Sequence, residues 1–102
     1  MEKKDVKQVN IQIQLDEETA QGMYVNMAVA QHSSSEFIFD FIFITPGKPQ
    51  AKVRSRVIMA PEHAKRFLKV LRDNISHYEK RFGEIQIPEP FPGVSGVKPP
   101  MQ

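Results

Sequence analysis

The sequence predicts an α+β domain: a four-stranded antiparallel sheet followed by one long amphipathic helix packed on one face, then an extended, Pro-rich C-terminal tail. Three observations lead there. Three runs in the first 59 residues alternate with period two, the signature of strands, and a fourth, residues 36–44, is apolar on both faces. From Pro61 the apolar spacing changes to steps of three and four, which marks one stripe of a helix. After Ile87 come five prolines and two glycines, which neither a helix nor a central strand accommodates.

The elements follow in order. Residues 1–7 are polar and are read as a flexible N-terminus, residues 8–85 as a single α+β domain, and residues 86–102 as the extended tail. The run VNIQIQL sets Val9, Ile11, Ile13 and Leu15 against Asn10, Gln12 and Gln14, so it reads as the first strand. DEETAQG breaks the alternation and suits a connection. The second strand, residues 23–30, places Met23, Val25, Met27 and Val29 opposite Tyr24, Asn26, Ala28 and Ala30. A polar turn, QHSSS, leads to EFIFDFIFI, which is apolar on both faces and interrupted only by Asp40. TPGKPQ is a loop, and AKVRSRVIM is the fourth strand. The helix runs from Pro61, suited to a first turn, to Phe82, with Gly83 just past its end. Ala60 is a poor N-cap.

In all four strands the strongly apolar set falls on odd positions, so the odd face is expected to lie under the helix. The even face then carries Tyr24, Ala28, Ala30, Ile38, Asp40, Ile42, Ile44, Arg54, Arg56 and Ile58 as a candidate interface. Its isoleucines form a patch that a monomer does not leave in water. Either the tail folds back across them or another copy covers them, and the second reading is preferred. Asp40 is expected beside Arg54 and Arg56, where an ion pair fixes register and rejects wrong partners.

Composition bounds the rest. A chain of 102 residues with 28 Leu, Ile, Val and Phe and 25% charged residues is one domain with a small core, often supplemented by oligomerisation. No cysteine is present, which excludes disulfides and thiolate metal sites. The N-terminus has no apolar leader and no run approaches a membrane span, so a cytoplasmic location without membrane attachment is expected. Net charge is +2, yet residues 47–82 hold ten Lys/Arg against three Asp/Glu and the rest holds four against nine. That asymmetry suits either a solvated helix face or a basic patch for an acidic partner.

No constellation points to chemistry. His32, His63 and His77 lack the spacing of a helical metal pair, and no cofactor or metal is expected. GKPQ lacks the glycine and hydroxyl residue of a phosphate loop. His32 beside Ser33, Ser34 and Ser35 reads as a hairpin turn, since neighbours on a turn rarely meet productively and no orienting group is evident. No catalytic residue is therefore assigned, and a non-enzymatic protein is expected.

Residues 56–85, RVIMAPEHAKRFLKVLRDNISHYEKRFGEI, with YVNMA and FIFDF upstream, resemble the domain of unknown function 3467 family. Met59, Pro61, His63, Ala64, Lys65, Asn74, Tyr78, Glu79, Phe82 and Gly83 sit where its pattern places them, while Ala60 stands where a serine is usual. The resemblance implies a small α+β fold and a cytoplasmic bacterial or archaeal origin, and it supplies no established activity. By topology alone, four antiparallel strands and a long helix are also similar to SecB-type export chaperones.

Three functions follow as expectations. The first is a self-associating interaction or adaptor module, a homodimer or larger, with an unidentified protein partner. The second is a SecB-like holdase for non-native chains. The third, not favoured, is nucleic-acid binding through the basic strand 52–56 and the helix, with Tyr24 stacking a base.

Overall fold

A computed structural model describes residues 9–88. Its elements are α1 (Glu17–Ala20), β1 (Met27–His32), β2 (Phe37–Ile44), β3 (Ala51–Met59) and α2 (Pro61–Phe82). The strands form one antiparallel sheet in the order β1-β2-β3. The four-stranded expectation is therefore corrected to three strands. Residues 9–15 keep their alternation but belong to no ladder, with Val9, Ile11, Ile13 and Leu15 all largely exposed. The Pro-rich tail falls, from residue 89 on, outside the described residues, as do residues 1–7.

Period two identifies a strand but not its partner, and the connection explains why residues 9–15 do not fold back as a hairpin. Asp16 accepts a hydrogen bond from the Thr19 N–H at 2.8 Å and caps the single turn α1. Gly22, at φ 72°, then turns the chain in the left-handed region open to glycine. β1 begins at Met27, later than expected, and Asn26 shows how the ladder ends. Its Nδ2 donates to the Ile44 carbonyl at 3.0 Å, and its Oδ1 accepts the Ile44 N–H at 2.9 Å. A side-chain amide thus replaces the last backbone pair.

Loop lengths set which residues share a face. The turn between β1 and β2 holds four residues, 33–36, so the closing pair His32–Phe37 joins an even to an odd position. Met27, Val29 and Gln31 consequently lie with Ile38, Asp40 and Ile42, while Ala28, Ala30 and His32 lie with the phenylalanines. β2 and β3 close on Ile44–Ala51, also of opposite parity. A bulge then admits Arg54 as an extra residue, and from Ser55 onward parity is restored: Phe41 faces Ser55, Phe39 faces Val57, and Phe37 faces Met59. The expectation that odd positions share one face in every strand thus fails for β1 and for the turn-proximal end of β3.

α2 has the predicted limits, with Gly83 at φ 100° just beyond it. Its predicted packing over the sheet is corrected. No residue of α2 is buried, and its aromatic contact with the sheet is Phe67 set edge-on to Phe39, centroids 6.0 Å apart. Phe67, Leu68, Leu71, Ile75, Tyr78 and Phe82 remain 39–66% exposed. Only one residue, Ala60, separates β3 from α2, and this tight junction lets the helix leave the sheet instead of returning along it. Among the described residues only Ile42 and Asp40 are buried.

Ala60 has the extended geometry of an N-cap, φ −66° and ψ 155°, but no side chain to bond the first helical N–H groups. Ala60→Ser is expected to stabilise the protein by about 1 kcal/mol, read as a higher urea midpoint. An unchanged or lower midpoint would show that this helix end draws its capping from elsewhere.

Candidate interaction surface

The Phe face of the sheet joins Phe37, Phe39, Phe41 and Phe43 to Ala28, Ala30 and His32 on one side and to Lys52, Ser55, Val57 and Met59 on the other. His32 stacks on Phe37 with centroids 5.4 Å apart, and Tyr24 meets Phe43 edge-on at 6.3 Å. The Ile face joins Ile38, Asp40, Ile42 and Ile44 to Met27, Val29 and Gln31 and to Ala51, Val53, Arg56 and Ile58.

The structure therefore brings together six of the ten predicted interface residues, Ile38, Asp40, Ile42, Ile44, Arg56 and Ile58, on one face. Ala28, Ala30 and Tyr24 belong to the Phe face, and Arg54 sits in the bulge. Met27, Val29 and Val53 replace them on the Ile face. Counting the residues of each turn would have found the first two; the bulge that brings in Val53 leaves no mark in the alternation.

Asp40 is the one charged group buried in the sheet, and it is fully partnered. Arg56 lies directly opposite it across β2 and β3. The guanidinium donates from Nε to Oδ1 at 2.7 Å and from Nη2 to Oδ2 at 2.9 Å, a bidentate pair. These hydrogen bonds hold the Asp40 carboxyl below the usual carboxylate range and raise the Arg56 pKa, and burial opposes both shifts. The Arg56 side chain keeps 32% of its surface exposed while Asp40 keeps none, so the pair reaches water on Arg56's side. Only register 40–56 aligns both oxygens, so the pair pins β3 against β2 just beyond the bulge.

Around this pin the surface is open. Ile58 is 52% exposed and Val53 37% exposed, and on the opposite face Val57 is 37% exposed. On the Phe face, α1 and the chain after it (Glu18, Thr19, Gly22, Met23, Val25) form one wall of a cavity of ≈ 650 Å³. Phe41, Ser55 and Val57 line the same cavity. A second groove, ≈ 790 Å³, lies by the β2–β3 turn between Phe43, Thr45 and Gln50 and carries Lys48, Lys52 and Arg54.

Ser33 and His63 have partners in their own local structure. Ser33 Oγ accepts the N–H groups of Ser35 and Glu36, each at 3.2 Å, and so builds the β1–β2 turn. His63 contacts Arg66 at 3.2 Å on the first turns of α2. Among the described residues no group of three His, Cys, Asp or Glu is placed to hold a metal ion. No described helix is long and apolar enough to cross a membrane.

The family model described as "Protein of unknown function (DUF3467)" matches residues 1–87. No curated protein and no solved structure matches the chain. The likeness to SecB rested on four strands, and the sheet has three.

Asp40→Asn should lower the melting temperature at neutral pH more than Glu62→Gln, because Glu62 makes only an exposed, 3.6 Å bridge to Arg66. A depressed carboxyl pKa contributes stability that is complete above the unfolded value, near 3.9. That contribution disappears as pH falls through the folded value. The gap between wild type and Asp40→Asn should accordingly close in acid, and a gap that persists or widens there would contradict the role given to the pair.

Proposed function

We propose that this chain, which belongs to the DUF3467 family, acts as a self-associating, non-enzymatic interaction module whose fold a second copy completes. The observation that carries this reading is the helix. α2 presents a six-residue apolar stripe with no buried member, while both sheet faces also keep apolar side chains in partial contact with water. Patches of this kind on soluble chains mark association surfaces.

The size fits. At about 150–200 Å² per large side chain, the half-exposed stripe of α2 offers about 500 Å², and the four apolar residues of 9–15 offer a similar amount. Together they exceed the roughly 800 Å² per partner of a standard stable interface. An amphipathic helix laid on an apolar face of another copy buries both at once. The nucleic-acid alternative has less support, because Asp40 occupies Arg56, one of the three basic residues of strand 52–56.

Light scattering should give a mass of at least about twice 11.7 kDa for the wild type. Leu71→Asp separates the readings sharply. Leu71 is 44% exposed in the single chain, so a functioning monomer should tolerate the change with little loss of stability. In a dimer, it places an unpaired charge in the interface and should abolish association. A wild type that stays at 11.7 kDa at high concentration, with Leu71→Asp silent, would refute self-association.

A further inference from the structure

Resting on that self-association, we infer that residues 9–15 of one copy add as a strand to the β1 edge of a second copy, an edge that pairs with no other strand among the described residues. Within a single chain the sheet remains three-stranded; the exchanged strand belongs to the assembly. Four independent features converge on this arrangement.

The first is the segment itself. Val9, Ile11, Ile13 and Leu15 alternate strictly with Asn10, Gln12 and Gln14, a pattern that is selected by a half-buried strand. Yet the four apolar side chains are 67–92% exposed and the backbone joins no ladder.

The second is the difference between the two sheet edges. β3 carries Lys52 and Arg54 and a bulge, the devices that keep an edge strand from pairing with another chain. β1, MAVAQH, carries no Lys, Arg, Asp, Glu or Pro and is regular along all six residues. An unprotected edge of six residues matches a seven-residue segment in length.

The third is direction. Glu18 and Thr19 of α1 line the same cavity as Ser55 and Val57 of β3, so the chain leaves the sheet on the side away from β1. To reach its own β1 edge, the segment would have to cross back over the Phe face. Another copy's edge needs no such crossing.

The fourth is a buried group without a partner. Gln31 Nε2 lies on the Ile face of β1 with no hydrogen-bond acceptor among the described residues. A strand docked with Asn10, Gln12 and Gln14 on that face supplies amide oxygens beside it. The same orientation puts Val9, Ile11, Ile13 and Leu15 on the Phe face, over Ala28 and Ala30, whose small side chains leave the neighbouring phenylalanines partly open.

The chain contains no cysteine, so introduced pairs report cleanly. One full-length chain would carry Asn10→Cys, Gln12→Cys or Gln14→Cys; a second, tagged to differ in mass, would carry Gln31→Cys. After refolding together and mild oxidation, a covalent heterodimer should form. Ile11→Cys and Ile13→Cys, on the opposite face, should form little. A chain carrying both cysteines that closes a disulfide within the monomer, or no cross-link at any position, would overturn the exchange. Removing residues 1–15 provides the second arm, with light scattering on dilution expected to show association weakened by about tenfold or more. If the shortened chain dimerises as tightly as the full one, the exchanged strand is wrong while self-association stands. A monomeric full-length chain would remove both.

Discussion

β2 places four phenylalanines on one side of the sheet and three isoleucines on the other, and the described residues hold one long helix with which to cover them. A three-stranded sheet that is apolar on both faces needs two covering layers. α2 could supply at most one, and its aromatic contact with the Phe face is Phe67 on Phe39. The other features of the structure follow from this shortage. The residues of α2 stay open, the segment 9–15 stays unpaired and exposed, and among the described residues the central strand alone contains buried side chains. Hydrophobic burial is the dominant favourable contribution to folding, so side chains left open in this way are the ground for the self-association proposed above.

Against that open frame the Asp40–Arg56 pair has a particular use. A sheet with apolar side chains on both faces has little to tell one register from another, since a slip exchanges one greasy surface for the other. Asp40 makes the slip costly. Displacing β3 by one residue would strand a buried carboxylate without its bidentate partner, and the pair lies two positions from the bulge that resets parity. The charge therefore specifies an arrangement that the apolar residues stabilise without discriminating.

Long, strongly periodic segments were legible in the sequence. The limits of β2, β3 and α2, the poor cap at Ala60 and the pairing of Asp40 with an arginine all follow from local pattern. What local pattern cannot contain is the partner. Residues 9–15 read as a strand because every second side chain is apolar, but alternation is silent on where the facing strand lies. Facing relations are also non-local. Ala28 and Ala30 were assigned to the Ile face because they are even-numbered, and a four-residue turn carried them to the other side. Met27 and Val29 took their place beside Asp40 for the same reason. The helix stripe was visible as a stripe; its failure to close over its own sheet was not, because a stripe fits a neighbouring molecule as well as it fits its own chain.

The most direct measurement is the dependence of unfolding on protein concentration. If a second copy completes the fold, unfolding and dissociation are one process and mass action links them. The urea or thermal midpoint should then climb steadily as concentration is raised over about two orders of magnitude, with loss of α2 helicity and loss of mass falling on one curve. A midpoint that stays fixed over that range, in a cooperative transition, would mean that 102 residues fold alone and that the exposed stripe of α2 has another explanation.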